Sequence, residues 1–192
     1  MVAETGALRL IEIVRSSPAF MAALRAGRAL GLAQWCIGAG ALRNLVWDHL
    51  HGHAEPTRPA DVDFAYFCDL DLGAERDQAL QQQLADLCPD VPWEVTNQAG
   101  VHLWFDRHFG HAVEPLHSLE EAIASWPEPA TAVGMWLDDH DALHVIAPHG
   151  LADLLDMRIR RNPVRVSVET YRQRCASKRY AERWPSVVVE LG

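Results

Sequence analysis

Cys36-Ile37-Gly38-Ala39-Gly40-Ala41-Leu42-Arg43-Asn44, then Ala60-Asp61-Val62-Asp63-Phe64 and, further on, Trp93-Glu94-Val95 are the stretches on which the reading of this chain turns. The first sets a small-residue turn between an apolar run and a helical pattern. The second places two carboxylates at alternate positions of an extended segment, and the third offers another carboxylate between two apolar residues. A phosphate-sized gap in a backbone beside convergent acids is what divalent-metal phosphoryl chemistry requires.

Leu32 to Gly38 reads as a strand, and Gly40 to Leu50 carries Leu42, Leu45, Val46 and Leu50 at helical spacing. In Asp61 to Phe67, Val62, Phe64 and Tyr66 face one way and Asp61, Asp63 and Ala65 the other. Acids two apart on a strand stand roughly 6 to 7 Å apart at the backbone, close enough to share one hard cation. Glu94, flanked by core-facing Trp93 and Val95, is the best third carboxylate and would permit a second ion. The Gly38-Ala39-Gly40-Ala41 turn lets a triphosphate approach the backbone, and the helix that starts there offers unpaired N–H groups. Arg43 could add a charged fork to the phosphates, or sit in a surface pair.

Other features have plainer readings. Asp69 and Asp71 repeat the acid spacing but adjoin Gly73 and a helix start, which suggests a turn and cap. Asp138, Asp139 and Asp141 fit a hairpin loop. His49, His51 and His53 sit among Gly and Pro after a helix, where a solvated loop outweighs a metal site. Asn97, Gln98 and His102 could read a base or ribose, or tie down a loop. Trp47, Trp93, Trp136 and Trp184 lie in periodic segments and are assigned to the core.

The 192 residues, 49% hydrophobic, suffice for one sizeable core. Four cysteines without a CxxC pair indicate neither zinc nor a disulfide framework. No apolar run of about 18 residues exists and no basic-then-apolar leader opens the chain, so a cytoplasmic protein without a membrane span is expected. The net charge of −9 divides unevenly: residues 1–149 hold 8 basic and 21 acidic side chains, residues 150–192 hold 9 and 5. An acidic body argues against broad binding to duplex DNA. The basic tail, with Lys178, Arg174, Arg179 and Arg183, is expected to pack against that body, although a phosphate or RNA end would also suit it.

Further elements are read as helices near residues 7–15, from Ser17-Pro18 to Leu30, over Ala74–Leu87 and over Ser118–Trp126 with a Ser118/Glu121 capping box. Strands are read at Trp93–Thr96, Thr131–Leu137 and Ala142–Ile146, and two last helices at Leu151 to about Arg158 and Glu169 to about Trp184. The sum is an α+β chain read as one domain over 1–192, with a core at about 32–147 and a helical part at about 148–192.

Gly40-Ala41-Leu42-Arg43-Asn44 followed by Asp61-Val62-Asp63 resembles the DNA polymerase β-like nucleotidyltransferase superfamily, and especially the head domain of tRNA CCA-adding enzymes, whose pattern is Gly-Gly-x-Val-Arg-Asp before an aspartate pair. These segments, with Ala147-Pro148-His149-Gly150-Leu151-Ala152-Asp153, Lys178-Arg179-Tyr180 and Trp184-Pro185, also resemble a bacterial nucleotidyltransferase-like family of unassigned function. The resemblance implies a mixed sheet flanked by helices, with helical additions at both ends. It implies that Asp61, Asp63 and Glu94 hold Mg²⁺ or Mn²⁺, and that Gly40, Ala41, Arg43 and Asn44 with the helix start receive an NTP. The departures are Ala41, where the superfamily usually has Ser or Gly, and Asn44, where the CCA-adding pattern has Asp.

The reaction so implied moves NMP from an NTP to a hydroxyl of an unknown acceptor, which is a small molecule, a protein or an RNA end, and releases pyrophosphate. CCA addition itself is not expected, because a tRNA-gripping neck, body and tail would not fit after the core. A nucleotide-binding or regulatory protein of the same fold is the alternative, and a partner protein contacting through its basic C-terminal helix is a third.

Overall fold

The computed structural model describes residues 2–191. Two helices, α1 (Val2–Arg15) and α2 (Pro18–Ala29), open the chain, and Ser17 caps α2 by accepting the Phe20 N–H at 3.3 Å, with Pro18 at the first helical position. They lead into β1 (Trp35–Gly38), α3 (Ala39–His51), β2 (Val62–Tyr66), α4 (Ala74–Leu87) and β3 (Trp93–Asn97). A 3₁₀ turn over Gln98–Leu103 and the short α5 (Phe105–Phe109) follow, then α6 (Leu119–Ala124) and a hairpin of β4 (Gly134–Leu137) and β5 (Leu143–Ile146). The chain finishes with α7 (Ala152–Leu155), β6 (Arg158–Ile159), α8 (Val168–Lys178), α9 (Tyr180–Arg183) and β7 (Val188–Val189).

The main sheet runs β3-β2-β1-β4-β5 and is mixed: β2 and β3 are parallel, and every other neighbouring pair is antiparallel. One face carries Trp35, Ile37, Phe64, Tyr66, Val95 and Met135 into an apolar core shared with α1 to α4. Alternation sends Cys36 and Ala65 to the other face, where Leu119 and Ile123 of α6 and Ala132 cover one end of it. The remainder of that second face is where the acids lie.

β1 and β4 meet through a pair of glycines, Gly38 opposite Gly134. A Cβ on Gly38 would stand 2.3 Å from the Val133 carbonyl oxygen, and one on Gly134 would stand 2.5 Å from Cys36 Sγ. Both glycines therefore serve close approach of backbone to its neighbour.

The C-terminal part differs from the expected pair of long helices. The helix read from Leu151 stops after Leu155, and the chain extends into β6, which pairs in parallel with β7 as a second, two-stranded sheet. The helix read through to Trp184 breaks at Arg179, whose φ of 47° is left-handed. The break turns Tyr180 and Trp184 inward, and both are buried. The α5 helix and the 3₁₀ turn before it lie in a stretch read only for its polar side chains.

Candidate active site

Parallel pairing of β2 with β3 puts Asp63 directly opposite Glu94. In-register residues on neighbouring parallel strands project to the same side, about 4.8 Å apart at the backbone. Asp61, one residue before β2, lies close enough for its charge to act on Asp63. The second sheet face thus carries Asp63 and Glu94, as alternation from Val62 and Trp93 predicts, whereas Asp61 stands outside the strand and does not line the cleft beside them.

Asp63 and Glu94 open into a cleft of about 370 Å³. Thr96 of β3 and Gln98, the first residue of the 3₁₀ turn, extend its lining. One wall is aromatic, from Trp104, Phe105 and Phe109; the facing wall is built by Ser125, Trp126 and Thr131; Arg165, Thr170 and Arg174 reach in from the C-terminal part. Burial and the neighbouring charges of Asp61 and Glu94 push the Asp63 carboxyl up to about 6, while Arg174 and Lys178 act in the opposite sense. Negative charge here is under-compensated by the protein.

That deficit suits a hard cation, which would lower the Asp63 pKa and accept oxygen donors from Asp63 and Glu94. Among the described residues no three acid, histidine or cysteine side chains are drawn together tightly enough to form a metal cage by themselves. The donor set fits an ion that completes its shell with water and substrate phosphate.

The turn before α3 has a different division of labour from the sequence reading. Ala39 lines the cleft and is held at a φ of 50°, an uncommon conformation for a residue with a Cβ, and its N–H is tied to Val133 O at 3.2 Å. No side chain caps α3, so the helix start keeps unpaired N–H groups. A Cβ on Gly40 would find nothing nearer than Arg43 Nη2 at 3.8 Å, which leaves free space above its backbone. Ala41 points away: with Asn44 it lines a separate hollow between α2, α3 and the loop of Pro56 to Pro59. The hydroxyl expected at that position in the superfamily would not enter this cleft.

Arg43 is likewise not a phosphate fork here. Its side chain is 3% exposed, and its guanidinium sits 5.0 to 5.3 Å from the ring centres of Trp47, Tyr180 and Trp184. It donates from Nη2 to Asn44 Oδ1 at 2.7 Å, and Nε has no partner. Burial pulls its pKa below the ordinary value. The α3 helix turns this position inward, where C-terminal aromatics close over it as a cation–π cage.

The remaining polar residues settle into structural roles. Asn97 closes the loop after β2: its Oδ1 accepts the Cys68 and Ala99 N–H groups and its Nδ2 donates to Cys68 O and Asp71 O. His53 and Thr57 both bond to buried Asp48, which also accepts Trp184 Nε1 at 2.8 Å, and His51 bridges Trp47 O and the Ser186 N–H. Of the HxHxH run, His49 and His51 thus lie in α3 and not in the loop expected of them, and His51 alone ties that helix to the C-terminal part. Asp71 accepts the Gly73 N–H, and Asp138 closes the β4–β5 turn by accepting from His140 N, Ala142 N and His144.

The sequence reading passed over Glu128. It lies between two prolines in an apparent loop, and no local pattern marks it. In the fold its carboxylate is wholly buried and bonded to Arg174 of α8. The basic helix does pack on the acidic body, as expected, and here is where.

A mixed sheet carrying acids on adjacent strands beside a strand-turn-helix defines the polymerase β-like nucleotidyltransferase fold. The chain belongs to the nucleotidyltransferase family, whose profile matches residues 25–189. It is similar to a protein whose NMR structure reveals a CCA-adding enzyme head domain, with 29% identity over 94% of each chain and a TM-score of 0.79. A tRNA-processing enzyme complex shares the fold at 21% identity and a TM-score of 0.52; this chain covers 43% of that one, which in turn covers 88% of this chain. No curated protein matches the chain.

Proposed function

We propose that the protein is a divalent-metal-dependent nucleotidyltransferase that moves NMP from an NTP to a hydroxyl group and releases pyrophosphate. The observation that carries this reading is the in-register pair Asp63 and Glu94 at the mouth of a cleft, with the Asp63 carboxyl raised by burial and by its acidic neighbours. Asp61, Asp63 and Glu94 would hold Mg²⁺ or Mn²⁺. A bound ion would neutralise the phosphates and lower the pKa of an oxygen bound to it.

The protein's own part is alignment. The uncapped start of α3 and the open backbone at Gly40 accept phosphate oxygens. The acceptor oxygen attacks the α-phosphorus in line; the bond from that phosphorus to the bridging oxygen breaks, its electron pair leaves with pyrophosphate, and Glu94 at the exposed edge takes the hydroxyl proton. The aromatic wall of Trp104, Phe105 and Phe109 offers a face on which a planar base can stack. Similarity to a CCA-adding head and to a tRNA-processing enzyme makes an RNA end the first acceptor to try.

Incubation with each labelled NTP, Mg²⁺ or Mn²⁺ and a total cell extract should label one class of macromolecule or metabolite, and the Asp61→Asn/Asp63→Asn variant should label none. The alternative is a nucleotide-binding protein of the same fold without turnover. Metal-dependent NTP binding with no pyrophosphate release from any of the four nucleotides would select it.

A further inference from the structure

Glu128 is 0% exposed. Its carboxylate accepts Arg174 Nε at 2.6 Å, Thr131 Oγ1 at 2.9 Å and Tyr180 OH at 3.4 Å, while its main-chain carbonyl accepts the Thr131 and Ala132 N–H groups, both at 2.9 Å. A carboxylate taken wholly out of water is costly, and such a group persists where it fixes a partner in one geometry. That partner, Arg174, is one-third exposed. The pair uses only Nε; among the described residues neither Nη group is hydrogen-bonded, and the side chain lines the same cleft as Asp63 and Glu94.

Had this cation served only to neutralise the acids of the sheet, it would bond to Asp63 or Glu94. Its ion pair among the described residues is instead with Glu128, behind it. Lys178, one helical turn further on, adds a second charge that Asp63 feels. An arginine anchored by Glu128, with free donors in the cleft lined by the acids that would carry a metal, forms the cationic half of a site for a metal-bound phosphoanhydride.

Resting on the nucleotidyltransferase reading, we infer that Arg174 binds phosphoryl oxygens of the nucleotide or of the pyrophosphate product, and that Glu128 is the residue that positions it. This gives the phosphates a cationic partner in place of the enclosed Arg43. Its two free Nη groups can bond two oxygens of one phosphoryl group, or one oxygen on each of two.

Titration of Mg²⁺-pyrophosphate and Mg²⁺-ATP into the native protein, Arg174→Gln, Arg174→Lys and Glu128→Gln tests the assignment, alongside Mn²⁺ binding without nucleotide. Loss of two charge-assisted bonds corresponds to at least ~tenfold weaker binding of both phosphate ligands to Arg174→Gln. Arg174→Lys should fall between it and the native protein. Glu128→Gln should raise the KM for NTP more than it lowers kcat. Mn²⁺ affinity of Arg174→Gln should hold or increase, since a repelling charge has gone; a merely structural defect would weaken metal and phosphate together. Unchanged pyrophosphate affinity in Arg174→Gln, or parallel loss of Mn²⁺ and pyrophosphate, overturns the assignment. If Arg174→Gln binds as the native protein does while Asp63→Asn abolishes nucleotide binding, the phosphate site is refuted and the enzymatic reading stands. If pyrophosphate binds through Arg174 but no NTP is ever turned over, the converse holds.

Discussion

Asp63 is the residue whose environment departs furthest from the expectation for a strand acid. Its pKa of about 6 against an ordinary 3.8 means that the native protein binds more protons than the unfolded chain between those values, so stability falls as pH rises through that window. In a chelating buffer Asp63→Asn should remove this slope. By thermal unfolding the variant should be more stable than the native protein by about 1 to 3 kcal/mol at pH 7, and equal to it below pH 4; equal stability at both would contradict the placement of the charge. Metal-dependent binding should weaken on acidification below about 6, as Asp63 gains its proton. Alternation of side chains made the facing of Asp63 and Glu94 legible from sequence, because a strand has a fixed period. The fate of Arg43 was not legible, since what encloses it, Tyr180 and Trp184, comes from the far end of the chain. Arg43→Ala should open a cavity between three rings and cost about 2 to 4 kcal/mol by denaturant unfolding. Mg²⁺-NTP affinity should change little in the same variant, which a direct phosphate contact would not allow.

The strand-turn-helix from β1 to α3 shows how local sequence can be right about shape and wrong about cause. Gly38 and Gly40 read alike, as room for phosphate. Only Gly40 has open space above it, whereas Gly38 makes way for the β4 backbone. Gly38→Ala should therefore push β4 from β1 and destabilise by more than about 2 kcal/mol, while Gly40→Ala should leave the unfolding midpoint nearly in place and impair nucleotide binding. Equal damage from both in thermal unfolding would refute the division. The capping box at Ser118 was legible and holds on one side: Ser118 Oγ accepts the Glu121 N–H at 3.0 Å, but Glu121 returns its bond to the His117 N–H at 2.8 Å. β6 and β7 escaped notice because two-residue strands carry no periodicity.

Across the whole molecule the basic C-terminal part is a structural closure as much as a surface. Tyr171, Tyr180 and Trp184 belong to the same core as α1 to α4, and Trp184 Nε1 reaches Asp48 in α3. A chain cut after residue 166 would lose these rings and uncover Arg43, Asp48 and Glu128. It should show no cooperative thermal transition by circular dichroism; a sharp transition near the native midpoint would mean that the tail is dispensable. Charge asymmetry along the sequence showed that the tail would meet the acidic body, but which arginine meets which acid depended on a fold in which Glu128 and Arg174 come together. Such long-range pairs leave no local trace. The central claim is that Asp63 and Glu94 gather a divalent ion on which an NTP docks. Electron paramagnetic resonance of Mn²⁺ titrated with NTP tests it most directly. The native protein should form a ternary Mn²⁺-NTP complex that Asp63→Asn and Glu94→Gln each weaken at least ~tenfold, whereas a ternary complex equally tight in the native protein and both variants would contradict it.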